Sequence, residues 1–334
     1  MKRTMIQTTP GLMHQPSIVL RGAALALLLF AASAAEAQPA HRLYRIGVLN
    51  EAWAANHPAV AGLKEGLRER GFIEGRDVAY EIRFTKGEPG ATAAAAAELV
   101  KAGVDLIFTS NEPATFAAKK ATQRIPIVFT LVGDPVAARI VASLARPEGN
   151  VTGVSSRATE LAPKRLEVLK TLVAGLKRVW FVYHSSDTID PAALGSVRDA
   201  ARQFQIELIV RAVNDPAELA LVLKEVKPDD GVLAPVVDTL DIPAKILEIA
   251  RGPSIFPTAL WVEHGAVISY GPDFRAQGMQ SARLVAKILR GTRPQDLPVE
   301  GADKIDLAVN LGVARQLALR VPPKILVRAN VVHR

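Results

Sequence analysis

The 334-residue chain contains no cysteine, and aromatic residues make up only 5% of it. The absence of cysteine excludes disulfide bonds, thiolate metal sites, a cysteine nucleophile and the lipid-modified cysteine of a bacterial lipoprotein. The fold must therefore be held together by a hydrophobic core. Because the chain exceeds the roughly 250–300 residues at which one core tends to divide, the sequence predicts two lobes.

A hydrophobic run long enough to span a bilayer is also missing near the N-terminus. Basic residues precede an apolar stretch over 23–35, which ends in the tripeptide Ala35-Glu36-Ala37. This stretch is shorter than the roughly twenty residues that a transmembrane helix needs, and the tripeptide is typical of a signal peptidase site. We expect a signal peptide over 1–37, cleaved after Ala37, and a periplasmic mature protein. An uncleaved membrane anchor is the alternative.

The excess of positive charge is small and dispersed. The formal net charge of +8 falls to +6 once the signal, with three basic residues and Glu36, is removed. The densest basic cluster, Lys119, Lys120 and Arg124, lacks the interleaved aromatic residues and the longer basic run that nucleic-acid binding favours. A solvated helix face explains it better, and no nucleic-acid partner is expected.

From Tyr44 onward, short apolar runs alternate with longer segments of helical period, a pattern typical of strand-helix units around a parallel sheet. Strands are predicted over 44–49, 78–84, 106–109 and 127–131, with helices around 58–70, 91–102 and 113–123. After a turn-rich segment at 145–153 the alternation resumes. In this second part, helices are predicted over 162–172 and starting at Ala192 and Ala217. Strands are predicted over 179–183, 206–210, 231–234, 255–258 and 266–270. A long helix then ends near 290.

These patterns predict an α/β fold with two Rossmann-like lobes, each built on a parallel sheet. Lobe 1 is expected to comprise 38–155 and about 269–300. Lobe 2 is expected to comprise 156–268 and about 301–334, although the patterns leave the placement of this last segment open. Short crossings near 151–156 and 267–270 would let the lobes move about a hinge.

The motifs of common enzyme sites are absent from the sequence. It contains no phosphate-binding loop, no Gly-x-Gly-x-x-Gly after the first strand, no Gly-x-Ser-x-Gly and no His-Glu-x-x-His. The first strand runs instead into Asn50-Glu51-Ala52-Trp53, which cannot make the tight glycine turn of a dinucleotide site. No cofactor and no enzymatic activity are expected.

Two histidines and several carboxylates could still take part in a site. His184 follows a strand and His264 lies beside Glu263, but neither belongs to a metal-binding motif, so a polar lip or hinge is the better interpretation. Glu51, Glu112, Asp134 and Asp238 fall at predicted strand ends. Acid-base catalysis by a pair of them stays open, although their number favours a polar cleft.

Six stretches of the chain carry a family resemblance. They are YRIGVL at 44–49, GLRERGFIEG at 66–75, IPIVF at 125–129 with GDPV at 133–136, ARPEGNVTG at 145–153, SYGP at 269–272, and LPVE at 297–300 with AVNL at 308–311. Together they cover essentially the whole mature chain and resemble the periplasmic ABC-transporter substrate-binding proteins, a group with tryptophan- and tyrosine-binding members. The resemblance implies a type I periplasmic-binding fold, a ligand held between the lobes and delivery to a membrane permease.

The chain departs from this family where a ligand would bind. Members usually show a Gly-Thr-Pro or Ala-Thr-Pro turn where this chain has Ser110-Asn111-Glu112-Pro113, and often Trp-Asn where it has Tyr183-His184. The identity of the ligand is therefore not implied by the resemblance.

In an open parallel sheet, ligands collect at the carboxyl ends of the strands. The residues expected there are Asn50, Glu51, Trp53, Ser110, Asn111, Thr130 and Asp134 in the first lobe, and Tyr183, His184, Asp238, Trp261 and Tyr270 in the second lobe or at the crossing. Ser110 and Asn111 would either cap the next helix or hold the carboxylate of an amino-acid-like ligand.

The three tryptophans divide by position. Trp180 lies inside a predicted strand and is expected in the core, whereas Trp53 and Trp261 follow strands and are expected to face each other around the ligand. The sequence thus predicts a monomeric importer component with a small-molecule ligand and an ABC permease as partners. An exported enzyme and a ligand sensor on the same scaffold are the alternatives.

Overall fold

The computed structural model describes residues 42–51, 57–85, 90–187, 189–236 and 239–334. The predicted signal peptide, Trp53 and Asp238 lie outside these residues. Leu43–Arg334 form one compact unit that contains two sheets.

The first sheet is six-stranded, with the order β11-β5-β4-β3-β1-β2, and all its neighbouring strands run parallel. Its strands are β1 (Tyr44–Asn50), β2 (Val78–Phe84), β3 (Leu106–Thr109), β4 (Ile127–Val132), β5 (Val151–Ser155) and β11 (Glu300–Gly301). The helices that accompany it are α1 (Pro58–Glu69), α2 (Ala91–Lys101), α3 (Glu112–Ala121) and, from late in the chain, α9 (Phe274–Leu289).

Alternate residues of each strand supply the two faces of this sheet. On β1, Ile46 and Val48 face α1 and α9, whereas Leu49 belongs to the core cluster that includes α2 and α3. Both faces are therefore buried at β1, β3 and β4, which explains why these strands read as nearly continuous apolar runs.

The second sheet is seven-stranded, with the order β13-β12-β10-β9-β8-β6-β7. Its strands are β6 (Arg178–His184), β7 (Glu207–Val213), β8 (Gly231–Leu233), β9 (Ser254–Phe256), β10 (Ile268–Pro272), β12 (Ile305–Asn310) and β13 (Val331–His333). Its helices are α4 (Ala158–Leu172), α5 (Ile189–Gln203), α6 (Pro216–Lys224), α7 (Ile242–Ile249), α8 (Leu260–Glu263), α10 (Leu311–Gln316) and α11 (Pro323–Arg328). Only the pairing of β10 with β12 is antiparallel among the described strands.

The chain passes between the sheets after β5, after β10 and after β11, and these crossings are bonded to one another. The Ala302 amide donates to the Ser155 carbonyl at 2.8 Å, and Lys304 Nζ lies 2.6 Å from Asp273 Oδ2. The second crossing follows Pro272, a few residues after the boundary near 269 that the sequence indicated, and the last segment joins the second sheet through β12 and β13.

Most predicted elements are confirmed within a few residues, and Trp180 is 3% exposed in the core, as expected. Two features differ from the prediction, and α7, α8 and the elements after α9 were not predicted. The stretch 145–153 was predicted as a turn, but its end opens β5. The second sheet was predicted as parallel, but β12 enters it antiparallel to β10.

Helices α1 and α9 pack with their backbones in contact, although more than 200 residues separate them in the sequence. A Cβ atom on Gly62 would lie 2.0 Å from the Arg275 carbonyl oxygen, and one on Gly278 would lie 2.0 Å from the Ala59 carbonyl oxygen. Gly66 is also confined, though less tightly, since a Cβ there would lie 2.7 Å from Ala282 Cβ. This glycine contact (Gly62, Gly66 and Gly278) holds the N-terminal ends of both helices side by side.

We predict that Gly278→Ala lowers the free energy of unfolding by at least about 2 kcal/mol, because the added methyl group forces α1 and α9 apart. The matched control is Gly195→Ala, on the exposed side of α5, where a Cβ meets no atom within 4 Å. That change should stabilise the protein by up to about 1 kcal/mol through helix propensity. Urea unfolding of both variants checks the pair, and equal effects would refute the close contact.

Candidate functional site

The carboxyl edge of the first sheet is polar on the face that α1 and α9 cover. Asn50, Ser110 and Thr130 continue the apolar rows of β1, β3 and β4 at this edge, and they are 0%, 2% and 0% exposed. The Ser110 hydroxyl donates to Asn50 Oδ1 at 2.9 Å. The structure therefore brings three of the predicted site residues together as a buried polar floor.

Glu51 is held at the same edge by two neutral donors. Thr92 Oγ1 donates to Glu51 Oε1 at 2.9 Å, and Asn111 Nδ2 donates to Glu51 Oε2 at 3.0 Å. Each carboxylate oxygen thus has one donor from a neighbouring helix start, and the half-buried side chain keeps its negative charge in a fixed position.

Asn111 has both ends of its side chain occupied. Its Oδ1 accepts from the Ala114 amide at 3.0 Å and caps α3, while its Nδ2 is bonded to Glu51. Of the two roles expected for Asn111, capping is the one that the structure displays. A ligand carboxylate beside Asn111 would also face the Glu51 charge, which opposes it.

Asp134 is likewise used within the protein. Its Oδ1 accepts from the amides of Val136 and Ala137 at 3.1 and 2.9 Å, and its Oδ2 accepts from Thr159 Oγ1 at 3.3 Å. The carboxylate caps the turn after β4 and ties it to α4. These three hydrogen bonds give Asp134 a structural role.

His57 opens α1 and was not among the predicted site residues. Its Nδ1 accepts from the Ala59 amide at 3.2 Å, and its ring stacks on Phe274, the first residue of α9, with centroids 5.5 Å apart. Burial lowers the pKa of His57 to about 4. The side chain is therefore neutral at pH 7, consistent with its place at a helix N-terminus, where a positive charge is unfavourable.

Gln277, in the second turn of α9, is a second residue that sequence reasoning missed. Its side chain is 1% exposed, and neither Oε1 nor Nε2 has a hydrogen-bond partner among the described residues. The Thr130 hydroxyl on β4, against which α9 packs, is also unpaired there. The sequence did contain a signal for the burial of Gln277, because this residue lies on the apolar stripe of α9 together with Val285 and Ile288.

The predicted residues of the second sheet are more exposed. His184 lies at the end of β6, and its Nδ1 is 2.6 Å from Ser186 Oγ. The Tyr183 ring packs against Phe181 at 5.7 Å, and the Trp261 ring packs against Phe256 at 5.5 Å. Trp261 follows β9 at the carboxyl edge, as expected, but one face of its ring is covered by the core.

Tyr270 lies on β10 of the second sheet. It is half-buried and packs on the core cluster beneath α4, a position that core packing explains. In the same layer Arg165 of α4 is 2% exposed and donates to the Ala158 carbonyl at 3.5 Å. An arginine between Ala162 and Leu169, on the apolar face of the helix, was the signal that sequence analysis passed over.

A cavity of about 500 Å³ lies elsewhere, between the end of α3 and the segment 136–151. Lys119 lines it and donates to the carbonyl oxygens of Arg139 and Ile140. Asn150 also lines it and donates to the Ile125 carbonyl at 2.7 Å. Because this cavity lies toward the amino end of β5 and its Lys119 and Asn150 side chains are bonded internally, it is a weaker candidate than the carboxyl edge.

The described ranges (42–51, 57–85, 90–187, 189–236 and 239–334) offer neither a metal site nor a membrane-spanning helix. No group of three histidine or carboxylate side chains there could hold a metal ion. None of the helices in those ranges combines the length and the hydropathy that a bilayer crossing requires.

Comparison with known proteins identifies a family and a fold. Residues 53–333 match the family described as ABC transporter substrate binding protein. A tyrosine-binding protein of Clostridioides difficile is 27% identical over 273 residues, which are 79% of this chain and 79% of that protein.

Two solved structures are similar over 87% of this chain and 100% of their own. A conserved domain protein from Vibrio cholerae is 26% identical with a TM-score of 0.77, and an ABC domain from Streptococcus pneumonia in complex with L-Trp is 24% identical with a TM-score of 0.79. At this identity the second likeness shows the fold alone. The predicted fold class, with two largely parallel sheets in a type I periplasmic-binding architecture, is confirmed.

We predict that His57 makes the protein sensitive to acid. Its pKa in the folded protein, about 4, lies below the unfolded value of about 6.5, so the unfolded chain takes up the proton first as the pH falls. The contribution of His57 to the free energy of unfolding is fully present above about pH 6.5. It is lost progressively down to about pH 4, by about 3 kcal/mol in total.

His57→Asn keeps a side-chain acceptor for the helix cap and removes the titration. In urea unfolding at pH 7.5 and 4.5, the wild type should lose about 2 to 3 kcal/mol more than this variant. The same pH dependence in both proteins would contradict the role given to His57.

Proposed function

Because the chain belongs to the family of ABC transporter substrate binding proteins, we propose that it binds a small amino-acid-like ligand between its two sheets and delivers it to an ABC permease. The observation that carries the proposal is the polar carboxyl edge of the first sheet. There Glu51 is fixed by Thr92 and Asn111, beside the buried pair of Asn50 and Ser110. Ligands of open parallel sheets bind at this edge.

The position of Glu51 supports an ammonium group as the part of the ligand that binds here. Its two oxygens accept from neutral donors, so the negative charge has no cationic partner among these contacts. An amino acid offers such a cation. We therefore replace the expected contact between Asn111 and a ligand carboxylate with one between Glu51 and the ligand's ammonium group.

The relatives support an aromatic amino acid as the ligand. The Clostridioides difficile relative is named a tyrosine-binding protein, and the Streptococcus structure contains L-Trp. In this chain aromatic rings lie at both carboxyl edges, namely His57 and Phe274 at the first and Trp261 at the second. L-tyrosine and L-tryptophan are therefore the ligands that we propose to test.

The mode of action proposed is that of a two-lobed trap. The three crossings lie together and are joined by the bonds from Ala302 to Ser155 and from Lys304 to Asp273, an arrangement that supports a hinge. Ligand would close the lobes, and the closed form would dock on the permease as a monomer. Export through the signal at 1–37 would place this cycle in the periplasm.

We predict that wild-type protein binds L-tyrosine or L-tryptophan saturably in calorimetry and releases it unchanged. Glu51→Gln keeps the size of the side chain and removes its charge, so affinity should fall at least about tenfold, equivalent to about 1.5 to 3 kcal/mol. The control is Glu98→Gln, which removes an exposed carboxylate that pairs with Arg83 on the surface. It should leave the affinity unchanged.

Two results would overturn this proposal. Absence of binding to either amino acid would refute the ligand class, and equal affinities of the wild type and Glu51→Gln would refute the ammonium contact. Chemical conversion of the ligand during the titration would instead favour the enzyme alternative.

A further inference from the structure

The structure contains an inner polar recess in the first lobe, which we define by Thr130 of β4 and Gln277 of α9. Both side chains lie in the layer between the first sheet and the helix pair α1 and α9. Thr130 is 0% exposed and Gln277 is 1% exposed. The recess lies at the carboxyl edge, next to the Asn50 and Ser110 pair.

The polar atoms of this recess make no hydrogen bond within the part of the chain that the structure describes. Thr130 Oγ1, Gln277 Oε1 and Gln277 Nε2 have no hydrogen-bond partner among the residues that the structure describes. Buried hydroxyl and amide groups are normally paired, because an unpaired group loses its bonds to water without replacement. Three such atoms on two elements in contact indicate a place for a polar group from outside the fold.

The surroundings of the recess select an uncharged group. Ser110 and Asn50 are neutral and bonded to each other, and His57, at the neighbouring helix start, is held neutral by burial. A carboxamide presents a donor and an acceptor side by side, which complements a group that both donates and accepts. A hydroxyl group does so, whereas an indole N–H is a donor only.

We propose that Gln277 and Thr130 bind the side-chain hydroxyl of the ligand, so that the protein prefers L-tyrosine to L-phenylalanine. The phenol would donate to Gln277 Oε1 and accept from Gln277 Nε2 or Thr130 Oγ1. This inference rests on the aromatic amino-acid ligand proposed above and names the group that the first lobe recognises.

The arrangement of the strands fits a ligand that reaches both ends of the edge. Glu51 follows β1, and Thr130 lies on β4, with β3 between them. Two strand spacings amount to roughly 10 Å, comparable with an extended tyrosine and its terminal hydrogen bonds. The ammonium group at Glu51 and the hydroxyl group in the recess can therefore belong to one molecule.

The test is calorimetry with L-tyrosine and L-phenylalanine on the wild type and on Gln277→Met, which keeps the length of the side chain and removes its hydrogen-bonding atoms. The wild type should prefer tyrosine at least about tenfold, because a site built to bond a hydroxyl group rejects the analogue without it. In Gln277→Met the two affinities should differ by less than about twofold. The melting temperature of the ligand-free variant should not fall, since no internal bond is lost.

Gln280→Met is the matched control on the same helix. Gln280 donates to the Gly301 carbonyl at 2.9 Å and accepts from the Asp303 amide at 3.1 Å, so its loss should lower the melting temperature and leave the preference for tyrosine intact.

The outcomes separate the inference from the proposal on which it rests. Binding of neither amino acid by the wild type would refute the aromatic ligand and the recess with it. Equal binding of both by the wild type would leave the proposed function in place and refute the recess. A tyrosine preference that survives in Gln277→Met, with a lowered melting temperature, would give Gln277 a structural role only.

Discussion

The backbone contact between α1 and α9 is the constraint on which the first lobe depends. Helix α9 follows β10 of the second sheet, yet it packs on the first because Gly62, Gly66 and Gly278 let the two backbones touch. No other residue fits, since even one methyl group at Gly62 or Gly278 would lie 2.0 Å from a carbonyl oxygen. The contact brings two helix N-termini, and with them His57 and Gln277, over the carboxyl edge.

A rigid edge permits polar groups that a looser structure would not keep in place. Thr92 and Asn111 hold Glu51 in place by hydrogen bonds. Thr130 and Gln277 remain buried without partners among the described residues. Such groups lower the stability of the folded protein, so the surrounding packing has to compensate for them. Sites prepared in this way bind with less reorganisation, which favours affinity and discrimination. In the proposed function, the first lobe would be a preformed half of the ligand site, and the second lobe would supply the other half.

Much of the fold could be predicted from the sequence, because strands buried on both faces read as apolar runs and the helices between them keep a 3.6-residue period. The elements that were missed are those whose signal is weak. The strand β5 has the sequence Val-Thr-Gly-Val-Ser directly after a turn, and β11 has two residues. The reversed direction of β12 depends on where α9 packs, which no local pattern encodes.

The candidate site, like the fold, could be predicted from the sequence only in part. The positions of Asn50, Ser110 and Thr130 followed from strand ends, but the role of Asn111 depends on Glu51, which lies 60 residues away in the sequence. Gln277 and Arg165 are polar residues on apolar helix faces, a pattern that indicates burial without indicating a partner. Sequence reasoning therefore located the edge, whereas the contacts that assign a side chain to capping or to the core are visible only in the folded structure.

The central claim is that ligand binds at the carboxyl edge of the first sheet, between Glu51 and the recess of Thr130 and Gln277. A crystal structure of the protein grown with L-tyrosine tests it most directly. The account predicts the ligand's ammonium nitrogen within about 3 Å of a Glu51 oxygen and its phenolic oxygen within hydrogen-bond distance of Gln277. Tyrosine bound instead in the cavity beside Lys119, or at the edge with its hydroxyl group pointing away from Gln277, would contradict it.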